Sequence, residues 1–223
     1  MINLNALAQK SKYVIKDDWS FGVSTGIDYS YRFLKPFKDY PKTNIYKVRQ
    51  EREIPRFQYN IGFNALYKTA SIWSFESGFQ FSNLGFKTHS IPYDILPAVI
   101  YYKYRFVNIP LGVNVTTEGD KFKFTGSIYI TPSINFQASR KVKYLKPHAD
   151  ESGYFNKFKM NDFNLFLGAA AGAIYTISDR VYIRIQSEFK SDLFSRHVYG
   201  YAGSPEHTYL WSLGLNFGCF YNI

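Results

Sequence analysis

The chain has 223 residues, of which 20% are aromatic (21 Phe, 20 Tyr, 3 Trp) and 20% are charged, with a net charge of +10. That length suits one all-β domain, and no run approaches the roughly 18 uninterrupted apolar residues of a membrane helix. The single cysteine, Cys219, excludes an internal disulfide.

Residues 1–18 carry no strand pattern. Ala6-Leu7-Ala8 followed by Gln9 resembles the small-residue end of a secretory signal, so this stretch is expected to be an N-terminal tail holding a signal-peptide remnant. Residues 19–223 are expected to be one domain. From Trp19 to Phe33 the odd positions are mainly apolar (Trp19, Phe21, Val23, Ile27, Tyr29, Tyr31, Phe33) and the even ones small or polar. A period of two places alternate side chains on opposite faces of a β-strand. Lys35 to Pro55 is basic, marked by proline, and reads as a long connection. Alternation returns at Phe57, Tyr59, Ile61, Phe63, Ala65 and Tyr67. A tight turn then leads into Trp73–Lys87, where Trp73, Phe75, Phe79 and Phe81 oppose Ser74, Glu76, Gly78, Gln80 and Ser82.

After a loop with Pro92 and Pro97, the fourth strand changes phase between Tyr102-Tyr104-Phe106 and Ile109-Leu111-Val113-Val115. A β-bulge near Val107-Asn108, beside Pro110, accounts for that change. A turn at Glu118-Gly119-Asp120 precedes the fifth strand, Phe122 to Gln137. Ala138 to Asn161 reads as a second long basic loop. The sixth strand runs from Phe163 to Thr176, and Ser178-Asp179-Arg180 turns the chain into the seventh, Val181 to Leu193. A loop from Ser195 to His207 leads to the last strand, Tyr209 to Ile223.

Eight strands with connections alternating long and short predict an all-β chain. The form expected is an eight-stranded antiparallel up-and-down transmembrane β-barrel in the bacterial outer membrane. Short turns and both termini would be periplasmic, the long loops external. Tyr29, Tyr31, Tyr67, Tyr102, Tyr104, Tyr175, Tyr209 and Tyr221 would supply the interfacial girdles.

Two segments carry a family resemblance. Glu76-Ser77-Gly78-Phe79-Gln80-Phe81-Ser82-Asn83-Leu84-Gly85-Phe86-Lys87 resembles the third-strand motif of small PorT-like outer-membrane barrels of the Bacteroidota. Phe106-Val107-Asn108-Ile109-Pro110-Leu111 resembles the same family's aromatic-x-acidic-Ile-Pro-Leu motif. Leu84 stands where a basic residue is usual, and Asn108 where Glu is usual. The resemblance implies an outer-membrane location and, through the family's best-known members, service to a secretion and gliding apparatus.

Eight strands enclose an interior that side chains fill, so inward charges must pair or cost several kcal/mol each. Asp28, Arg32, Glu76, Lys123, Arg184 and Glu188 are expected to form a lumen charge network, with Arg184 or Lys123 as the partner of Glu76. Arg56, Arg105, Lys190 and Asp192 are also read as inward. His89, His148, His197 and His207 fall in predicted loops. Ser195, His197, Ser204, Glu206 and His207 supply the residue types of a nucleophile–base–orienter set, but without the spacing of such an enzyme. No metal-ligand spacing is present, so no catalytic residue, metal or cofactor is expected. Basic residues concentrate in two loops, and Lys35, Lys38, Lys42, Arg140, Lys141 and Lys143 are candidate contacts to lipopolysaccharide. The expected function is a non-enzymatic structural or partner-binding barrel, accessory to a secretion or envelope machine. Its partners would be outer-membrane lipid and envelope proteins, not nucleic acid. The alternatives are a small-solute channel and a lipid A-modifying enzyme.

Overall fold

The computed structural model describes residues 18–36, 53–70, 72–89, 91–93, 96–145, 151–154, 163–194, 196–199 and 205–223. The period-two segments form one antiparallel sheet of twelve strands. They are β1 (Asp18–Pro36), β2 (Glu53–Lys68), β3 (Trp73–Thr88), β4 (Ile91–Tyr93), β5 (Leu96–Asn108) and β6 (Leu111–Thr116). The chain continues with β7 (Phe122–Tyr144), β8 (Glu151–Tyr154), β9 (Phe163–Thr176), β10 (Val181–Asp192), β11 (Arg196–Tyr199) and β12 (Pro205–Asn222). β5 and β6 act as one stave, interrupted at Ile109-Pro110. With that pair counted once, β1, β2, β3, β5/β6, β7, β9, β10 and β12 are the eight staves of a closed ring. β1 closes it by pairing with β12 from Ser20↔Asn222 to Pro36↔Glu206. β4, β8 and β11 are short additions to β5, β7 and β12 at one end.

That end carries the long connections. The other carries three short turns, fastened by bonds such as Thr69 N–H to Trp73 O at 3.0 Å and Ile177 N–H to Val181 O at 2.9 Å. The two outer staves of the chain also meet there, Ile223 N–H donating to Trp19 O at 2.9 Å.

Closure leaves the apolar face of every stave outside. Phe57 is 70% exposed, Ile128 67%, Phe124 62% and Val23 61%. A water-soluble surface does not carry a contiguous apolar band on this scale. The band is the lipid-facing belt of a membrane barrel.

Several expectations need correction. The fourth stave has no bulge at Val107-Asn108. Pairing with β7 stays in step from Asn108↔Ser133 to Leu111↔Ile130 across the gap at Pro110. The extra residue lies on β7 instead, where Arg105 pairs with Gln137 and Phe106 with Asn135, leaving Phe136 over. Tyr104 and Phe106 are 4% and 0% exposed, so they point into the lumen and do not belong to a girdle. The apparent phase change on the fourth stave is a change of inward chemistry, from aromatic to polar. Ala138–Asn161 is not all loop, because β7 continues to Tyr144 and receives β8.

The inward face is not polar throughout, as the alternation alone suggests. At the short-turn end Leu66, Tyr182 and Phe220 pack together. A polar middle follows. Toward the long-connection end comes an apolar section of Leu84, Phe86, Tyr104, Phe106, Phe166 and Leu210, extended by Ala98, Ile100, Val142 and Tyr144.

Candidate functional site

The polar middle is built by residues that alternate with the lipid-facing ones. Arg184 on β10 meets Glu76 on β3 across the lumen with two bonds, Nη1 to Oε2 at 2.8 Å and Nη2 to Oε1 at 2.5 Å. Such a forked pair satisfies both carboxylate oxygens at once. The guanidinium also lies over Phe220, its carbon 4.6 Å from the ring centroid. Lys190 Nζ sits 3.4 Å from Asp28 Oδ2 and 3.5 Å from Glu188 Oε1, bridging two carboxylates with one cation. Neutral amides complete the set: Asn60 donates to Asp28 Oδ2 at 3.0 Å, and Asn216 donates to Glu188.

Three carboxylates therefore face two cations, and amide donors offset the remaining negative charge. Among the described residues Asn114 and Asn216 each keep a buried polar atom without a protein partner. They line a cavity of about 60 Å³, roomy enough for a few waters. Gly168 is required here, since a Cβ at that position would collide with the Tyr129 ring.

Asp28, Glu76, Arg184 and Glu188 thus occupy one region, with Lys190 between two of them. Arg32 does not join it. Arg32 lies in the apolar section and pairs with Glu53 on β2, Nε to Oε2 at 2.8 Å and Nη2 to Oε1. Their side chains are 3% and 5% exposed, and the Arg32 guanidinium carbon lies 4.2 Å from the Phe86 ring centroid. Glu53 was hidden from a periodicity reading. Pairing of β2 with β3 slips between Pro55 and Asn60, so Glu53 is out of phase with the rest of its strand. Lys123 does not reach the network either. It lies half-buried on β7 opposite Ile174, toward the short-turn mouth, and Glu76 takes Arg184.

Arg56 and Arg105 face outward, contrary to expectation. Arg105 alternates with the buried Tyr104 and Phe106, and Arg56 reaches the ring of Tyr101 on β5. Asp192 is buried, and its Oδ1 accepts from Phe194 N–H at 3.3 Å.

Of the expected loop cations, Arg140, Lys141 and Lys143 belong to the extended β7. Arg140 lies in the same phase as the buried Val142, while Lys141 and Lys143 are exposed. Lys35 lies on β1 opposite His207; Lys38 and Lys42 lie outside the described residues, as does His148. His197 and His207 are cross-strand partners on β11 and β12 rather than loop residues. Ser195 and Ser204 lie outside the described residues. No group of three His, Cys, Asp or Glu suited to a metal occurs among the described residues.

No protein-family model matches the sequence, and no curated protein does. Among solved structures, the outer membrane protease OmpT from Escherichia coli is similar, with TM-score 0.50 and 10% identity over 93% of this chain and 97% of that one. Neisserial surface protein A is similar at TM-score 0.43 and 10% identity, over 89% and 95% of the two chains. Ail, the attachment invasion locus protein of Yersinia pestis, is similar at TM-score 0.39 and 10% identity, over 93% and 99%. At such identities the likeness concerns the fold alone. With its closed ring of eight staves and its lipid-facing belt, the chain is a β-barrel of the outer-membrane type.

Proposed function

We propose that this protein is a non-enzymatic integral barrel of the bacterial outer membrane, closed to solutes, that works as a structural or partner-binding component. The observation that carries this reading is the filled lumen. Phe86, Phe106, Phe166, Leu84 and Leu210 are all at most 2% exposed, so apolar side chains occupy the cross-section toward the long connections. Water and ions do not pass a packed apolar section, and the paired charges below it are committed to one another. What remains available to partners is the outside of the barrel and the end with long connections.

In this reading the short turns and both termini are periplasmic, and the long connections project outward, the usual arrangement for such barrels. The partners are outer-membrane lipid, including lipopolysaccharide at the basic residues, together with envelope proteins. The PorT-like resemblance carried by Glu76–Lys87 and Phe106–Leu111 supports an accessory role in a secretion or envelope machine. Two measurements test the proposal. Planar-bilayer recording on the purified barrel should give no steady conductance, and an ohmic open state would overturn closure. Extraction from outer membrane in mild detergent should recover a fixed protein partner, and recovery of the lone chain under crosslinking would remove the partner-binding role.

A further inference from the structure

The outer wall of β2, β3 and β5 carries a charge pattern that the lumen does not use. Ladder register aligns outward residues in rows. Phe81, Val107 and Ile134 form one row, Asn83, Arg105 and Gln137 the next, and Gly85, Lys103 and Ser139 the third. The first row is apolar and the other two are polar, so on β3 and β5 the lipid-facing belt gives way to polar residues after the first row. Same-face residues along a strand are roughly 7 Å apart. Arg105 and Lys103 therefore stand within about 7–14 Å of the belt edge, the depth of lipid headgroups.

The third cation comes from β2. The extra residue between Pro55 and Asn60 interrupts the β2–β3 ladder, and Pro55 itself has no N–H to offer. Ser30 Oγ on β1 takes over, accepting from Gly85 N–H at 2.9 Å and donating to Gly85 O at 2.7 Å. The wall stays bonded across the interruption, and β2 pairs with β3 again from Pro55↔Phe86 to Glu53↔Thr88. The Arg56 guanidinium carbon lies 5.1 Å from the Tyr101 ring centroid on β5. From the other side Lys103 Nζ lies 5.6 Å from the Tyr59 ring centroid. Arg56 and Arg105 both act electrostatically on Lys103, and all three carry the same sign. Arg105 is steadied by the neutral Gln137. Among the described residues no carboxylate forms an ion pair with any of them.

Three cations that have no carboxylate partner among the described residues repel one another, and an anion joining them relieves that repulsion. A phosphate offers several acceptor oxygens to two guanidinium groups and an ammonium. We infer that Arg56, Lys103 and Arg105 bind the phosphate of a membrane lipid in the leaflet nearest the long connections. The lipid's chains would lie on the adjoining belt at Phe81 and Val107, and Tyr59 and Tyr101 would flank the headgroup, where tyrosine is favoured. The site faces sideways into the membrane, at the foot of a continuous apolar surface, which selects a lipid over a soluble anion. This deepens the lipid-partner reading and rests on the chain being a membrane barrel.

The test uses the full chain, purified in mild detergent and equilibrated with dioleoyl phosphatidic acid or with phosphatidylcholine of the same chains. Native mass spectrometry then counts retained lipid. Phosphatidic acid should be preferred by about tenfold, on the order of one favourable charge contact at a membrane surface. The triple variant R56Q/K103Q/R105Q should lose that preference while keeping the heat-resistant migration of a folded barrel. K123Q, at the opposite end, should keep it. Equal retention of the two lipids, or an unchanged preference in the triple variant, would overturn the site. So would complete displacement of the lipid by millimolar inorganic phosphate, which would assign the cluster to a free anion. Insertion into vesicles of the same lipids is scored separately. A chain that fails to insert overturns both readings, whereas insertion without lipid preference overturns only this one.

Discussion

The polar middle and the apolar section of the lumen solve the same problem in opposite ways. In the middle, five charged groups share partners, and amides and a cavity of about 60 Å³ surround them. Toward the long connections the pair Arg32 with Glu53 is sealed among Phe86, Tyr102 and other aromatics. A charge that loses its partner in the middle has amides, a second ion or water within reach. One that loses its partner in the apolar section is left beside aromatic rings. Location, more than the number of bonds, therefore sets the consequence of breaking a pair.

The largest effect should come from the sealed pair. E53Q or R32M alone should destabilise the barrel by about 3–5 kcal/mol, because one charge stays buried and unpaired. The double replacement R32M/E53L should recover most of that loss. Urea-driven unfolding from lipid vesicles, followed by tryptophan fluorescence, measures both, and a double variant as weak as the singles would break the comparison. F106A should cost about 3 kcal/mol by the same measurement, since a ring with 0% exposure leaves a cavity behind. Combined with F166A, its edge-on neighbour at 5.6 Å, it should also introduce a small conductance in planar bilayers.

E76Q should cost less, about 1–2 kcal/mol. Arg184 keeps its place over Phe220 and keeps one acceptor oxygen from the amide. A loss as large as that of E53Q would show the middle to be as dry as the apolar section. The smallest effect belongs to K123Q, within about 0.5 kcal/mol, because the residue is half-exposed at the mouth and outside the network. Thermal unfolding of the folded band on gels is sensitive enough to separate it from E76Q.

Much of the architecture was legible residue by residue. Trp73, Phe75, Phe79 and Phe81 on one parity predicted a lipid-facing side of β3, and the exposure of all four agrees. The closeness of Glu76 and Arg184 could be named as one of two options, because both lie on inward parity. The pairing of Arg32 with Glu53 could not, since the β2 irregularity after Pro55 shifts parity and places Glu53 in what reads as loop. The same irregularity hid the outward course of Arg56, which has the even parity of the lumen residues of β2. Arg105 was hidden by its aromatic neighbours Tyr104 and Phe106, which read as lipid-facing but fill the lumen. On β7 the extra Phe136 does the equivalent, turning Val142 and Tyr144 inward on even positions.

What the sequence by itself determined is the two-faced strand, its repetition, and the alternation of short and long connections. Those properties depend only on neighbours along the chain and on a period of two. The tertiary structure decided which inward residues meet. One bulge inverts every later side chain on its strand, and partners across a barrel are set by register and shear rather than by spacing. Hence alternation identified a lipid-facing belt, while ring closure divided the interior into a polar middle and an apolar section and turned Arg56, Lys103 and Arg105 toward the membrane.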